Sequence, residues 1–522
     1  MPITFCVISK REEIQNRTLG MAYLIPNSWD DYGHKTLFTL IVFDEYHKEI
    51  HIGDVKIAYI GKTFGWTGEN LPEAFNYLAE NFYSLGQDAD YYKRLMEEAS
   101  EFLRTEILRA LGDVAYDPIK LDIVKNDVVF IKSLMRSVDF STIEQQFRRI
   151  LAGGAPLTAY EFTYEKVQSE EYAGLSIKVD VSPESTPPSN VHILIGRNGV
   201  GKTTILNNMV DTLIGVQKHE DAGQFTIPSF FNPNGLPLPA GYFSGVVSVS
   251  FSAFDPFVPP DDQTDISADI RYCYVGLKKK VGEVGNEHWA IKGDEDLCGD
   301  FINSLGLCLS LTAKRARWIN AVARLESDVN FADMNLSQLV NLYEQDRNLF
   351  LIAAYKIFKR MSSGHSIVLL SITRLIETVD EKTLVLIDEP ESHLHPPLLS
   401  SFTRALSDLL LDRNGVAIIA THSPVVLQEV PKSCVSVVRR SRLNCMVERP
   451  ETETFGENVG VLTREVFGLE VTNSGFHNLL NSSVNKGLSY EQVEEEYSHQ
   501  IGFEGRAILQ SMIFTRDLQK GS

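Results

Sequence analysis

The chain has 522 residues, 43% of them hydrophobic, with 49 lysines and arginines against 69 aspartates and glutamates, a formal net charge of −20. That length exceeds one ordinary core and predicts two or three structural units, while the acidity argues against a uniformly basic surface of the kind that coats nucleic acid. No stretch approaches the ~20 apolar residues of a membrane span and no signal-peptide pattern opens the chain, so a cytoplasmic protein with no membrane partner is expected.

Residues 1–153 read as an α+β region of unassigned role. Strand-like segments at 21–25, 36–43 and 54–60 are separated by turn-rich pieces, and helical spacing takes over at 91–111 and 141–151. Gly61-Lys62-Thr63 has the tail of a phosphate loop, but Lys56 stands where its first glycine belongs; it reads as a turn after a strand. Trp29-Asp30-Asp31-Tyr32 reads as a packed aromatic turn. The Ala-Gly-Gly-Ala-Pro run at 152–156 marks a boundary.

Residues 157–450 carry the chemistry. Probable antiparallel strands at 160–164 and 175–181 precede a buried strand at 191–195, which feeds Gly196-Arg197-Asn198-Gly199-Val200-Gly201-Lys202-Thr203-Thr204 and a helix over 204–213. This is the full phosphate-loop pattern, Gly, four residues, then Gly-Lys-Ser/Thr, between strand and helix. Its glycines let backbone N–H groups approach phosphates, Lys202 neutralises charge and the helix N-terminus adds a favourable dipole. ATP is the expected cofactor, with Mg2+ held by Thr203.

Further along, a strand is expected at 246–251, an irregular loop at 254–262 and an inserted helical unit at about 299–360, without the sustained heptads of a long coiled coil. Met361-Ser362-Ser363-Gly364-His365 precedes a helical pattern at 367–378. An apolar strand at 384–387 then ends in Asp388-Glu389, a Walker B pattern in which Asp388 holds magnesium hydration and Glu389 acts as base toward water. Another strand, 415–420, leads to His422, placed to sense the γ-phosphate. Between them, His393 and His395 have a spacing that could suit a metal, yet no third ligand stands nearby; an interfacial loop at a dimer contact is the preferred reading. Residues 451–522 read as a helical extension.

The six cysteines, Cys6, Cys273, Cys298, Cys308, Cys434 and Cys445, lack Cys-x-x-Cys spacing, which suggests neither zinc nor a disulfide framework. Three basic clusters, Lys278-Lys279-Lys280, Lys314-Arg315-Ala316-Arg317 and Arg439-Arg440-Ser441-Arg442, are candidates for phosphate contact and otherwise read as solvated faces.

The order of these motifs resembles the ABC-type ATPases. That likeness implies an α/β fold with a mixed sheet and an inserted helical subdomain. Ser363 and Gly364 are similar to the Leu-Ser-Gly-Gly-Gln signature, which in that family caps the γ-phosphate bound by the opposite subunit; a head-to-tail homodimer with two composite ATP sites is implied. His365 replaces the usual glutamine, and Ser252 stands where the Q-loop glutamine is usual. The Glu-Ser-His-Leu-His-Pro run at 391–396 resembles the corresponding segment of OLD-like defence ATPases. Two further stretches, 247–257 with 272–277 and 455–468, resemble the PtuA family of Septu-type antiphage defence, including its retron-borne versions. That resemblance implies a PtuB-like HNH endonuclease as partner, controlled by the ATPase to give abortive infection. In the retron form it also implies a reverse transcriptase and its RNA–DNA product. After His422 the only aspartate is Asp517, so a TOPRIM Asp-x-Asp is missing and no nuclease chemistry is expected of the chain itself. The alternatives are a DNA-repair or recombination ATPase acting directly on DNA and a transporter ATPase.

Overall fold

The computed structural model describes residues 3–14, 16–44, 46–140, 142–153, 159–170, 172–215, 222–250, 257–263, 270–282, 288–468 and 475–520. The expected loop at 254–256, the Q-loop position at 252, Ser141 and the boundary residues 154–156 lie outside them.

The N-terminal region is built on a six-stranded sheet in the order Ala74–Phe75, Thr4–Val7, Met21–Pro26, Leu37–Phe43, Glu49–Tyr59 and Phe82–Gly86. The strand expected at 54–60 starts five residues earlier; a register shift opposite Leu40 and Ile41 and a left-handed Gly53 (φ 132°) interrupt its alternation. The single helical pattern at 91–111 is two helices. Asp88 caps Ala89–Glu97 through Asp90 N, and Ser100 caps Glu101–Leu111 through Leu103 N. The turn at Trp29 is packed only in part: Asp31 is buried and half-buried Trp29 donates from Nε1 to Asp31 Oδ1 at 2.7 Å, while Tyr32 is 70% exposed. Lys56, buried at the position that broke the phosphate-loop pattern, ion-pairs with Asp31 at 2.7 Å. The strand before Gly61 ends at Tyr59, and Lys62 donates to Gly65 O at 2.9 Å within a turn.

The ATPase region has a seven-stranded sheet in the order Arg271–Gly276, Gly245–Ser250, Thr383–Asp388, Val416–Thr421, Val191–Gly196, Val435–Ser441 and Asn444–Glu448. All neighbours are parallel except the last pair. The three central strands are buried along their whole length, which is why they read as unbroken apolar runs. Alternation splits their side chains between two cores: Ile193 and Ile195 face the inserted helices, while Leu194 faces a four-stranded layer that includes Tyr160–Lys166 and Leu175–Val181. These two strands are antiparallel, as expected. The helical insertion begins at Asp294 rather than about 299, because Asp296 Oδ2 accepts from Gly293 N at 2.8 Å and closes a cap. It runs through Arg347–Arg360 to the helix Ser363–Thr378. The described part of the C-terminal segment ends in four helices, the last being Phe503–Lys520. The fold is thus mixed α/β, an ABC-cassette-like ATPase region with a β-rich N-terminal region.

The N-terminal region docks on the ends of the central sheet where its parallel strands begin. Arg271 joins Asp139 (2.8 Å) and Asp380 (2.6 Å), and Asp88 joins Arg317 (2.6 Å) and Arg413 (3.2 Å). Gln146 Nε2 donates to Glu381 Oε2 at 2.5 Å. Burial pushes the Glu381 carboxyl up to about 7, against the opposing pull of Arg413, Asn414 and Arg149.

Candidate nucleotide site

At the opposite ends of the same strands the expected site residues come together. Gly196 ends its strand with so little room that a Cβ would lie 2.4 Å from Val438 O. Gly199 (φ 81°) and Gly201 (φ 96°) take left-handed backbone that a side chain would strain, and Gly201 is the residue before the helix Lys202–Ile214. Arg197, Asn198 and Val200 complete the turn between strand and helix, and Thr204 lies in the first turn of the helix. Lys202 is buried and folds back over the loop, donating to Gly196 O (3.1 Å) and Arg197 O (3.2 Å). Burial lowers its pKa, and Glu389, Glu391 and Asp388 oppose that shift.

Thr203 Oγ1 donates to Asp388 Oδ2 at 2.8 Å, so the loop and the Walker B strand meet at two oxygen groups. Hard oxygen donors of this kind suit Mg2+, which keeps most of its other positions for phosphate and water. Glu389 follows in a left-handed conformation (φ 45°), its N–H bonded to Ala420 O at 2.9 Å. The two adjacent acidic strand ends are thereby turned to different directions: Asp388 toward the loop, Glu389 toward His422, whose Nδ1 lies 3.7 Å from Glu389 Oε1.

Sequence reasoning gave Glu391 no role, yet it organises this end of the site. Its Oε1 accepts from Thr421 Oγ1 and from His422 N, both at 2.6 Å, and stands 3.1 Å from His422 Nδ1. Its Oε2 is buried with no hydrogen-bond partner. The sequence hints were a third acid beside Asp388 and Glu389 and its place at the head of the 391–396 run.

Ser363 and Gly364 open a helix that packs on the turn after Walker B: a Cβ on Gly364 would lie 2.4 Å from His393 O. His365 Nε2 is 3.2 Å from Asp328 Oδ1, and His395 Nε2 is 3.1 Å from Asp328 Oδ2. Asp328, from the helical insertion, therefore clasps the signature helix to the 390–395 turn. The sequence carries no local signal for it, since it lies 37 residues before His365. His395 is committed to this carboxylate, and no group of three or more metal-ligating side chains occurs among the described residues.

One basic cluster is corrected. Lys314 is buried and donates to Glu377 O at 2.6 Å, while Arg317 pairs with Asp88 and Asp412. Charge in the sequence does not tell which face of a helix it occupies, and this face is interior. Lys279 pairs with Asp296 at 2.6 Å and Arg439 with Glu448 at 3.4 Å.

Fold and site together define an ATP-binding P-loop ATPase. Residues 322–428 match the family model described as "AAA domain, putative AbiEii toxin, Type IV TA system". Protein ea59 of Escherichia phage lambda is 44% identical over 534 residues, spanning 99% of this chain and 99% of its own. The chain belongs to the ea59 family. Among solved structures, the ADP conformation of MJ1267, an ATP-binding cassette of an ABC transporter, is 15% identical over 60% of this chain and 100% of its own, with a TM-score of 0.31. For cbiO1 from Clostridium perfringens, part of the ABC transporter complex cbiONQ, the values are 14%, 60%, 94% and 0.30. At those scores the likeness adds nothing to what the strand order already gives. No helix among the described residues is long and apolar enough to cross a membrane.

Proposed function

We propose that the protein is an ATP-driven switch that dimerises head to tail and controls a toxic effector in antiphage defence. The observation that carries this reading is the meeting of Thr203 with Asp388 beside Glu389 and His422, the arrangement needed to hold a magnesium triphosphate and activate water. Ser363 and Gly364 lie at a helix N-terminus, suited to the γ-phosphate of a second copy. The AbiEii-toxin description of the matching family supports a role in abortive infection. The resemblance to PtuA makes an HNH endonuclease the proposed effector, joined in a retron setting by a reverse transcriptase and its RNA–DNA product.

The test is a pair of variants in the full chain. Lys202→Ala loses Mg-ATP binding; Glu389→Gln binds ATP, loses hydrolysis and accumulates as dimer in light scattering. A Glu389→Gln protein that stays monomeric with saturating ATP refutes the composite site. Undiminished phage resistance in both variants refutes the switch.

A further inference from the structure

The arginine cluster at the end of Val435–Ser441 has one member that faces the phosphate loop. Val438 pairs with Gly196 at the end of the P-loop strand and packs in the core with Val200, Ile205 and Leu206 of the loop and its helix. Residues two apart on a strand share a face, so Arg440 emerges on that side one step further along, at the helix N-terminus. Where a Cβ on Gly201 would sit, Arg440 Nη1 is 3.3 Å away, the one heavy atom within 4 Å apart from the glycine's chain neighbours. A Cβ on Gly199 would meet nothing. The side chain is steadied at its base: Nε donates to Arg442 O at 3.0 Å, a carbonyl presented by the left-handed turn at Arg442 (φ 54°). Among the described residues neither terminal nitrogen has a partner, and the residue is exposed.

We infer that Arg440 is a nucleotide-binding residue, its guanidinium fork meeting the α- and β-phosphates on the flank of the loop opposite magnesium. The inference rests on the nucleotide reading of the loop given above. The flank follows from the sheet order. Asp388 and His422 lie on or directly after strands to one side of the P-loop strand, and Arg440 lies on its neighbour to the other side. A triphosphate whose γ end is at Thr203, Asp388 and His422 therefore runs across the loop toward Arg440. A guanidinium with two free N–H ends suits paired phosphate oxygens, and charge-assisted bonds of this kind are stronger than neutral ones.

Equilibrium binding of Mg-ATP and Mg-ADP to the full-length protein tests this, with Lys202→Ala alongside. Arg440→Ala is expected to weaken both nucleotides alike by about tenfold or more, and Arg440→Lys, which keeps charge without the fork, by an intermediate factor. The ligand-free melting temperature should stay unchanged in both, and the Lys variant preserves the test if the Ala variant does not fold. Unchanged affinity in Arg440→Ala, with binding lost in Lys202→Ala, overturns the role of Arg440 and leaves the loop assignment standing. A loss confined to ATP overturns the placement at the α- and β-phosphates. Unimpaired binding in Lys202→Ala overturns the loop assignment itself.

Discussion

The two ends of the central sheet hold much the same residue types and use them in opposite ways. Where the parallel strands end, Asp388, Glu389 and His422 stand beside a glycine-rich loop, with Glu389 and His422 partly open to solvent. Where the strands begin, Asp88, Asp380, Glu381, Arg271 and Arg413 are matched against one another and against the N-terminal region. Charge that lies beside a glycine-rich loop and is held there by neutral groups, as Lys202 and Asp388 are, can take a ligand; charge that is buried against an opposite charge holds two regions together. The same strands, Thr383–Asp388 and Val416–Thr421, connect the two ends.

Three substitutions sharpen that contrast. The largest effect is expected from Asp88→Ala, which takes the 3.2 Å carboxylate from buried Arg413 and leaves Arg317 with Asp412 alone; removing one partner of a buried pair costs about 3–5 kcal/mol. Denaturant unfolding should register that loss, while the nucleotide affinity of the folded protein stays unchanged. An equal loss of nucleotide affinity would erase the division between the ends.

Glu381→Gln comes next and is a matter of pH. The native carboxyl has a pKa of about 7 against an ordinary value of 4.5, so the folded state binds its proton more tightly. Its contribution is fully present below 4.5 and is lost as pH rises through 7, an upper estimate of about 3 kcal/mol. The glutamine cannot ionise, and Gln146 can turn its unpartnered Oε1 toward the new amide. The variant should gain stability over the parent at pH 8, with the gap closing below about pH 5. A gap that does not change with pH would remove Glu381 as its cause.

The smallest effect belongs to the ligand end. Glu391→Gln keeps an acceptor for Thr421 Oγ1 and His422 N but discards the negative charge beside His422 Nδ1. It should lower kcat about tenfold with KM little changed in steady-state ATPase kinetics. A KM increase with kcat intact would make Glu391 a binding residue instead.

Much of this site was legible because buried parallel strands are apolar runs and their chemistry sits where each run stops, at Gly196, at Asp388 and at His422 just after Thr421. The strand at Glu49–Tyr59 was half read because Gly53 and a bulge break its period, and the helix break at Ser100 hid beneath charges that suit either one helix or two. Asp328 was illegible, since its partners lie 37 and more residues away and no local period links them. Arg440 and Lys314 looked equivalent as sequence; only the packing sends one to the phosphate loop and the other inside.

The close approach of Gly364 to His393 O carries its own consequence for what the degenerate signature can become. A methyl group at 364 would collide with backbone of the same chain, whether or not nucleotide or a second copy is present. His365, by contrast, touches side chains: Ser362 and Asp328 by hydrogen bond and the rings of Phe331 and His395 by packing. Position 364 is thus fixed by the fold of a single molecule, whereas 365 can be exchanged for any residue able to satisfy those neighbours. A motif whose glycine persists while its flank drifts is what that asymmetry would leave behind.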